Sequence, residues 1–262
     1  MQIYADNCTL SYGKNPIVSK LSFRANSGEM VAVMGPSGVG KSTTLGLFFG
    51  EAKCENGEFG INGAPNLDQN IISLITQDDI LIKEFSVYEN LKHYARLHGV
   101  AFSRIDEVIS SLNLGKVQNS PVYKGGKWAI SGGQRKRVNI AMEMLLSRNE
   151  IFFADEPTSG LSTAGSIQVL QSLRDIADGK SMNAPKIVMV IIHQPNLEMI
   201  KMFDKILLFE EIKKENGKKP TSLATTKFMS LAEFFSEHLG CDYAGADTLE
   251  LHKKYNEFLK SI

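Results

Sequence analysis

Short, uninterrupted apolar runs alternate along this chain with stretches in which apolar positions recur at helical spacing. Gln2–Leu10 alternates loosely, and Ile17–Phe23 and Met30–Met34 are short apolar runs divided by Gly, Asn and Pro clusters, so the first sixty residues read as β-rich. Met30–Met34 is apolar at every position, as in a strand buried on both faces of a parallel sheet. Lys41–Phe49 follows a glycine-rich turn and predicts a helix ending near Gly50, and Ile71–Thr76 predicts another strand. Val87, Leu91, Tyr94 and Leu97, then Ile105, Val108, Ile109 and Leu112, recur at helical spacing and predict two or three helices. A second glycine-containing turn after Trp128 opens a helix over Gln134–Leu146. Ile151–Ala154 and Ile187–Ile192 repeat the buried-strand pattern around a helix at Ala164–Ala177. This alternation predicts a mainly parallel sheet covered by helices. Glu210–Lys219 reads as an exposed charged loop, and Ser230–Leu239 and Leu249–Leu259 as closing helices.

Composition narrows the function classes. The 262 residues carry 29 basic and 29 acidic side chains, 43% hydrophobic and 22% charged residues, an ordinary globular balance. Zero net charge argues against bulk binding to nucleic acid or to an anionic membrane. Apolar stretches such as Ile187–Ile192 fall far short of the ~18 residues of a spanning helix, and MQIYADNCTL lacks the regions of a signal peptide. Cys8, Cys54 and Cys241 are few and widely spaced, which predicts no disulfide framework and a reducing compartment. These features predict a soluble, intracellular protein.

The chemistry enters at Gly35-Pro36-Ser37-Gly38-Val39-Gly40-Lys41-Ser42, which fits G-x-x-x-x-G-K-[ST] at every fixed position, after a buried strand and before a helix. Glycines let successive N–H groups turn inward on an anion, and the helix N-terminus adds partial positive charge. Lys41 supplies a full charge for the β- and γ-phosphates of a nucleotide, Ser42 is placed to ligate Mg²⁺, and Thr43 can contact the neighbouring phosphate. The alternative is a glycine-rich turn with no ligand. Ile151-Phe-Phe-Ala-Asp155-Glu156-Pro157 ends four apolar residues with two carboxylates. Asp155 is placed for the magnesium shell and Glu156 to orient or deprotonate an attacking water. A helix N-cap after a core strand would also satisfy Asp-Glu-Pro-Thr.

Ile130-Ser131-Gly132-Gly133-Gln-Arg-Lys-Arg137 forms a second nest at a helix start, so two phosphate nests point to a composite site. The order of P-loop, Gln77 in ITQDD, ISGGQ, FFADEPTSGL and His193 resembles the ATP-binding cassette of ABC transporters, from about Leu10 to Leu208. The resemblance implies a P-loop NTPase core with a mainly parallel sheet, an N-terminal antiparallel β subdomain and a helical signature subdomain. It reads residues 1–262 as a single nucleotide-binding domain, with the helical subdomain at about 80–145 and a C-terminal extension at about 210–262. It implies that Tyr12 stacks on adenine, where the residues alone would make it an ordinary strand aromatic. It further implies that Gln77 links the magnesium and attacking water to the transport partner, that Ser131, Gly132 and Gly133 contact the γ-phosphate held by the opposite subunit, and that His193 is the switch histidine on the γ-phosphate. SGGQRKRVNIA, ADEPTSGL and IIHQPN resemble the G, or pigment-transporter, subfamily, as do FDKILLF and LAEFFSEHLG. In that subfamily the cassette precedes the membrane domain on one chain. Two departures stand out: Ser162 replaces the expected aspartate in the loop bridging the subunits, which bears on turnover, and Ile130 replaces leucine.

The resemblance implies an ATPase with ATP and Mg²⁺ as cofactors, powering transport by closing head-to-tail on a second cassette. The partners it implies are that cassette, identical or a paralogue, and a transmembrane domain or subunit, with the cassette on the cytoplasmic side. Two other readings are a soluble ABC ATPase acting on nucleic acid or ribosomes, and a hydrolysis-impaired ATP-binding module. The first lacks the paired cassettes or coiled-coil insertions it would need, and Ser162 is the sole sequence support for the second.

Overall fold

A computed structural model describes residues 1–13, 15–65, 68–182, 184–212, 224–241 and 248–262. The chain opens with a long antiparallel pair, β1 (Gln2–Tyr12) and β2 (Asn15–Asn26), in which Ile3 faces Ala25 and Ala5 faces Phe23. Strand β3 (Met30–Met34) then enters the core and delivers the chain to helix α1 (Lys41–Phe48). Two short strands, β4 (Lys53–Cys54) and β5 (Glu58–Ile61), return to pair with β1. Strand β6 (Ile72–Ile75) leads into α2 (Val87–Leu97) and α3 (Ser103–Ser111), followed by a hairpin, β7 (Tyr123–Lys124) and β8 (Lys127–Trp128). Helix α4 (Gly132–Leu145), β9 (Ile151–Asp155), α5 (Thr163–Ala177), β10 (Ile187–Ile191) and α6 (Leu197–Ile200) follow. The chain closes with β11 (Lys205–Glu211), β12 (Ala224–Ser230), α7 (Leu231–Leu239) and α8 (Thr248–Leu259).

One ten-stranded sheet runs β4-β1-β2-β12-β11-β3-β10-β9-β6, with β5 on β1. From β11 to β6 every neighbour is parallel, whereas β1, β2, β4 and β5 pair antiparallel. Strand β12 joins the two halves, antiparallel to β11 and parallel to β2. The α/β core and antiparallel subdomain expected from the sequence are therefore present, fused into a continuous sheet.

The fully apolar strands are explained by two cores, one on each face. Met30, Ala32 and Met34 of β3, Phe152 and Ala154 of β9, and Val188 and Val190 of β10 pack with the helices on one side. The intervening Val31, Val33, Ile151, Phe153, Ile187 and Met189 pack on the other side with β1, β2 and α1. Phe48, fully buried, anchors α1 there against Phe23, Phe59 and Phe153, with ring centroids 5.3–6.1 Å apart. Helices α2, α4 and α7 each begin at a serine whose hydroxyl accepts from the third helical N–H while Glu89, Gln134 or Glu233 reaches back.

Two sequence expectations are corrected here. Glu210 and Glu211 lie in β11, opposite Thr225 and Ala224, rather than in a loop; residues 213–219 of the expected loop lie outside the described residues. Cys8 and Cys54 are joined in a disulfide, their Cα atoms 5.4 Å apart, because β4 pairs with β1 beside Cys8. Their separation of 46 residues hides that adjacency in the sequence.

Candidate functional site

In a parallel sheet, groups that follow the carboxyl ends of neighbouring strands converge on one edge. Here β3, β10 and β9 lie side by side, and each leads within two residues to a group singled out by its chemistry: Gly35, His193 and Asp155–Glu156. Backbone hydrogen bonds lock these ends together, from Ile192 N to Val33 O at 3.2 Å and from Glu156 N to Ile191 O at 3.1 Å.

Residues 35–40 form the loop between β3 and α1. Gly35 has φ +145°, and a Cβ there would stand 2.7 Å from Phe209 O; Gly40, with φ +105°, would put one 2.6 Å from Val18 Cγ2. Only glycine fits either position, so the loop hugs β2 and β11 and leaves its N–H groups at the helix start. Lys41 is 7% exposed, and its Nζ donates to Gly35 O at 2.8 Å and Pro36 O at 2.6 Å. Burial pulls its pKa below 10.5, opposed by the charges of Glu156 and Asp155. A cavity of about 270 Å³ opens here, lined by Ser37, Gly38, Gly40, Lys41, Ser42, Thr43, Glu156 and Ile17. Ile17, on β2, has no sequence signal beyond an apolar strand position.

Burial pushes the Asp155 pKa above 3.8; the neighbouring Ser42 hydroxyl opposes this, Glu156 adds to it and Lys41 again opposes it. A hydroxyl and a carboxylate beside a phosphate nest are the hard oxygen donors that Mg²⁺ takes together with phosphate oxygens. Glycine contours, buried ammonium and oxygen donors thus fit a magnesium nucleotide. Glu156 has φ +45°, a left-handed conformation that a non-glycine residue adopts at a cost and that recurs at functional sites. It turns the backbone directly after β9.

The raised Asp155 pKa sets a pH dependence. The folded state holds the extra proton between pH 3.8 and the raised value, so stability falls as pH rises through that window. Asp155→Asn removes this loss. Its melting temperature in the absence of nucleotide is expected to exceed that of wild type at neutral pH, with the difference shrinking toward acid pH, which thermal melts across pH check.

Three other predicted elements, all among the described residues, sit outside the 270 Å³ cavity. Gln77 is exposed two residues beyond β6, whose Ile75 pairs with Ala154 of β9. His193 is exposed two residues beyond β10. Ser131 is the N-cap of α4, with Gly132 and Gly133 in its first turn, and none of the three lines the cavity. Tyr12 ends β1 opposite Asn15, and its side chain lies outside the described residues. Ser162 caps α5, its hydroxyl accepting from Gly165 N at 3.3 Å. An aspartate would make the same cap, so serine preserves the helix start and drops only the charge.

Sequence reasoning missed Asp79. Its carboxylate accepts from Arg135 Nε at 2.6 Å and Asn139 Nδ2 at 3.0 Å and lies 3.2 Å from Lys136 Nζ. All three partners lie on α4, 56–60 residues away, so no local pattern announces them.

Residues 18–159 match the ABC transporter family model, more than half of the chain. The chain belongs to the ABC transporter family. The cassette is 38% identical over 194 residues to ABC-type transporter claG of Penicillium crustosum, a match covering 70% of this chain and 25% of that protein. It is 36% identical over 214 residues to ABC transporter G family member 25 of Arabidopsis thaliana, covering 78% and 32%. With ATP-binding cassette sub-family G member 8 of Rattus norvegicus the identity is 31% over 204 residues, covering 73% and 28%. The cassette is thus similar in sequence to G-family members and spans about a quarter to a third of these relatives' length. Its fold matches cbiO1 of Clostridium perfringens, part of the ABC transporter complex cbiONQ, with TM-score 0.72 at 19% identity over 90% of each chain. It also matches an ATP-binding subunit of an ABC transporter with TM-score 0.66 at 18% identity over 98% of this chain. Among the described residues no helix is long and apolar enough to cross a membrane.

Proposed function

We propose that the cassette binds and hydrolyses ATP as one half of a head-to-tail pair that powers transmembrane transport. The observation that carries this reading is the separation of two complementary half-sites on one chain. The P-loop cavity is lined by Lys41, Ser42 and Glu156, while the Ser131 nest opens at the start of α4, outside that cavity. A second cassette can supply the missing nest to each nucleotide.

In this mechanism Ser37–Thr43 wrap the phosphates and Tyr12 stacks on the base. Lys41 exchanges its two carbonyl partners for phosphate oxygens, and the left-handed turn at Glu156 aims its carboxylate at the attacking water. Gln77 orients that water, and His193 donates to the γ-phosphate oxygens. Ser42 and Asp155 would hold Mg²⁺, which when bound would supply positive charge against the phosphates. Ser131, Gly132 and Gly133, at the positive start of α4, cap the γ-phosphate of the opposite cassette. Residues 1–262 act as a single nucleotide-binding domain, with about 80–145 as its helical subdomain and about 210–262 as its C-terminal extension. The G-subfamily relatives support a transmembrane domain or subunit as the partner and a location against the cytoplasmic face of a membrane. A bimolecular site makes a direct prediction: phosphate release per cassette from saturating ATP and Mg²⁺ rises with cassette concentration before levelling off. A specific rate independent of concentration down to nanomolar cassette would sink the paired reading.

A further inference from the structure

The loop that carries Gln77 is fastened to the helix that carries Ser131. Asp79, two residues beyond Gln77, is 15% exposed at its side chain and gathers three groups from one face of α4: Arg135, Lys136 and Asn139. Lys136, 5% exposed at its side chain, completes the clamp by donating to Thr76 O at 3.1 Å and to Gln77 O. Arg135 also donates to Ile130 O at 3.3 Å, next to the signature, and lies 4.4 Å above the Trp128 ring. The far end of the loop is pinned as well, because the buried Asn90 amide exchanges hydrogen bonds with the Ile82 backbone at 2.8 and 3.1 Å. Five residues after the α4 N-cap, Lys136 therefore grips the Gln77 backbone through charged hydrogen bonds shielded from water, where such bonds are strong.

We infer that Asp79 is a positioning residue for hydrolysis, which ties Gln77 to the signature so that engagement of Ser131–Gly133 by the second cassette's nucleotide sets Gln77 over the attacking water. This rests on the roles given to Gln77 and the signature under the proposed function. Asp79 touches neither nucleotide nor metal. It acts through Gln77, and a cassette whose clamp is cut binds ATP normally but turns over poorly. The clamp makes water positioning at one P-loop conditional on α4 of the same chain being seated on the other cassette's nucleotide. Such a contact suppresses idle hydrolysis by an unpaired cassette.

The test is Asp79→Asn, which keeps size and loses charge, set beside Asp79→Glu, Gln77→Ala and the Gln77→Ala/Asp79→Asn double variant. The expected result is a kcat lower by ~10-fold for Asp79→Asn, within the usual size of coupling between two sites, with KM for ATP within ~2-fold of wild type. Asp79→Glu recovers most of the rate, and the double variant turns over no more slowly than Gln77→Ala alone, because Asp79 acts only through Gln77. Multiplying losses in the double variant, or a wild-type kcat in Asp79→Asn, would overturn the inference. Hydrogen exchange separates this from failure of the ATPase reading. In the ATPase-silent, nucleotide-free cassette Asp79→Asn speeds exchange at Thr76 and Gln77 and leaves the 35–42 amides unchanged. Unchanged exchange at Thr76 and Gln77 refutes the clamp itself, whereas absent wild-type hydrolysis refutes the proposed activity.

Discussion

Lys41→Ala is expected to lower turnover by roughly 10²–10³-fold, the scale seen when a single donor is removed from developing transition-state charge, and to weaken ATP binding alongside. Lys41 is buried with its ammonium already stripped of most water, its hydrogen bonds coming from the Gly35 and Pro36 carbonyls. Those neutral partners are readily exchanged for phosphate oxygens, whose negative charge adds ion-pair attraction to bonds the ammonium already charge-assists. Alanine leaves Asp155 and Glu156 facing the phosphates without a balancing cation. Arginine in the same place keeps the charge, but its longer planar fork does not fit beneath the loop, so Lys41→Arg is expected to fail as well. Burial holds the Lys41 pKa below 10.5, so folding disfavours the charged form, and a thermal melt separates any loss of fold from loss of chemistry. Equilibrium binding of ATP, phosphate release and a thermal melt on the same preparation check all three parts.

Glu156→Gln is expected to have the second large effect and the opposite binding phenotype: kcat falls by ~10²–10⁴-fold, the range of general-base contributions, while ATP affinity is kept. The carboxylate lines the P-loop cavity with Lys41 and Ser42, close enough for its charge to push the pKa values of Lys41 and Asp155 upward. Its backbone is held at φ +45° by the turn after β9 and by the hydrogen bond from its N–H to Ile191 O, so glutamine inherits the same position. The amide can still orient a water but cannot take its proton. ATP-bound pairs then accumulate because the step that relaxes them is removed. Single-turnover chemistry alongside steady-state binding separates these quantities. Ser162 bears on the same cycle: Ser162→Asp keeps the α5 cap and restores the charge, which makes it the control for how much turnover that loop governs.

The parts of this molecule legible in the sequence are those whose signal is local. A strand buried on both faces is apolar at every position, so β3, β9 and β10 announce themselves, and the P-loop is written in consecutive residues because its glycines serve one tight turn. Helix starts are equally local, since Ser131–Gln134 and Ser230–Glu233 cap themselves within four residues. What stayed hidden depends on pairing between distant segments. Strand β12, ATTKFMS, has mostly half-buried positions and gains its strand character from lying between β11 and β2. The Cys8–Cys54 bond needs the β1–β4 register, and Ile17 reaches the P-loop only because β2 curls past Gly40. Asp79 is the sharpest case. Gln77-Asp78-Asp79 offers two adjacent acids, and only the packing of α4 against β6 selects the second as the anchor of the loop.

The central claim is that each nucleotide is held by the P-loop of one cassette and the signature of another, and the mass of the Glu156→Gln cassette in solution tests it most directly. Sedimentation with saturating ATP and Mg²⁺ should show a dimer holding two nucleotides, and the monomer without them. Adding Ser131→Asp keeps the α4 cap but sets a negative charge where the opposite γ-phosphate must dock. This second change should return the protein to ATP-bound monomer. A Glu156→Gln cassette that stays monomeric when filled with ATP, or a dimer indifferent to Ser131→Asp, would contradict the account.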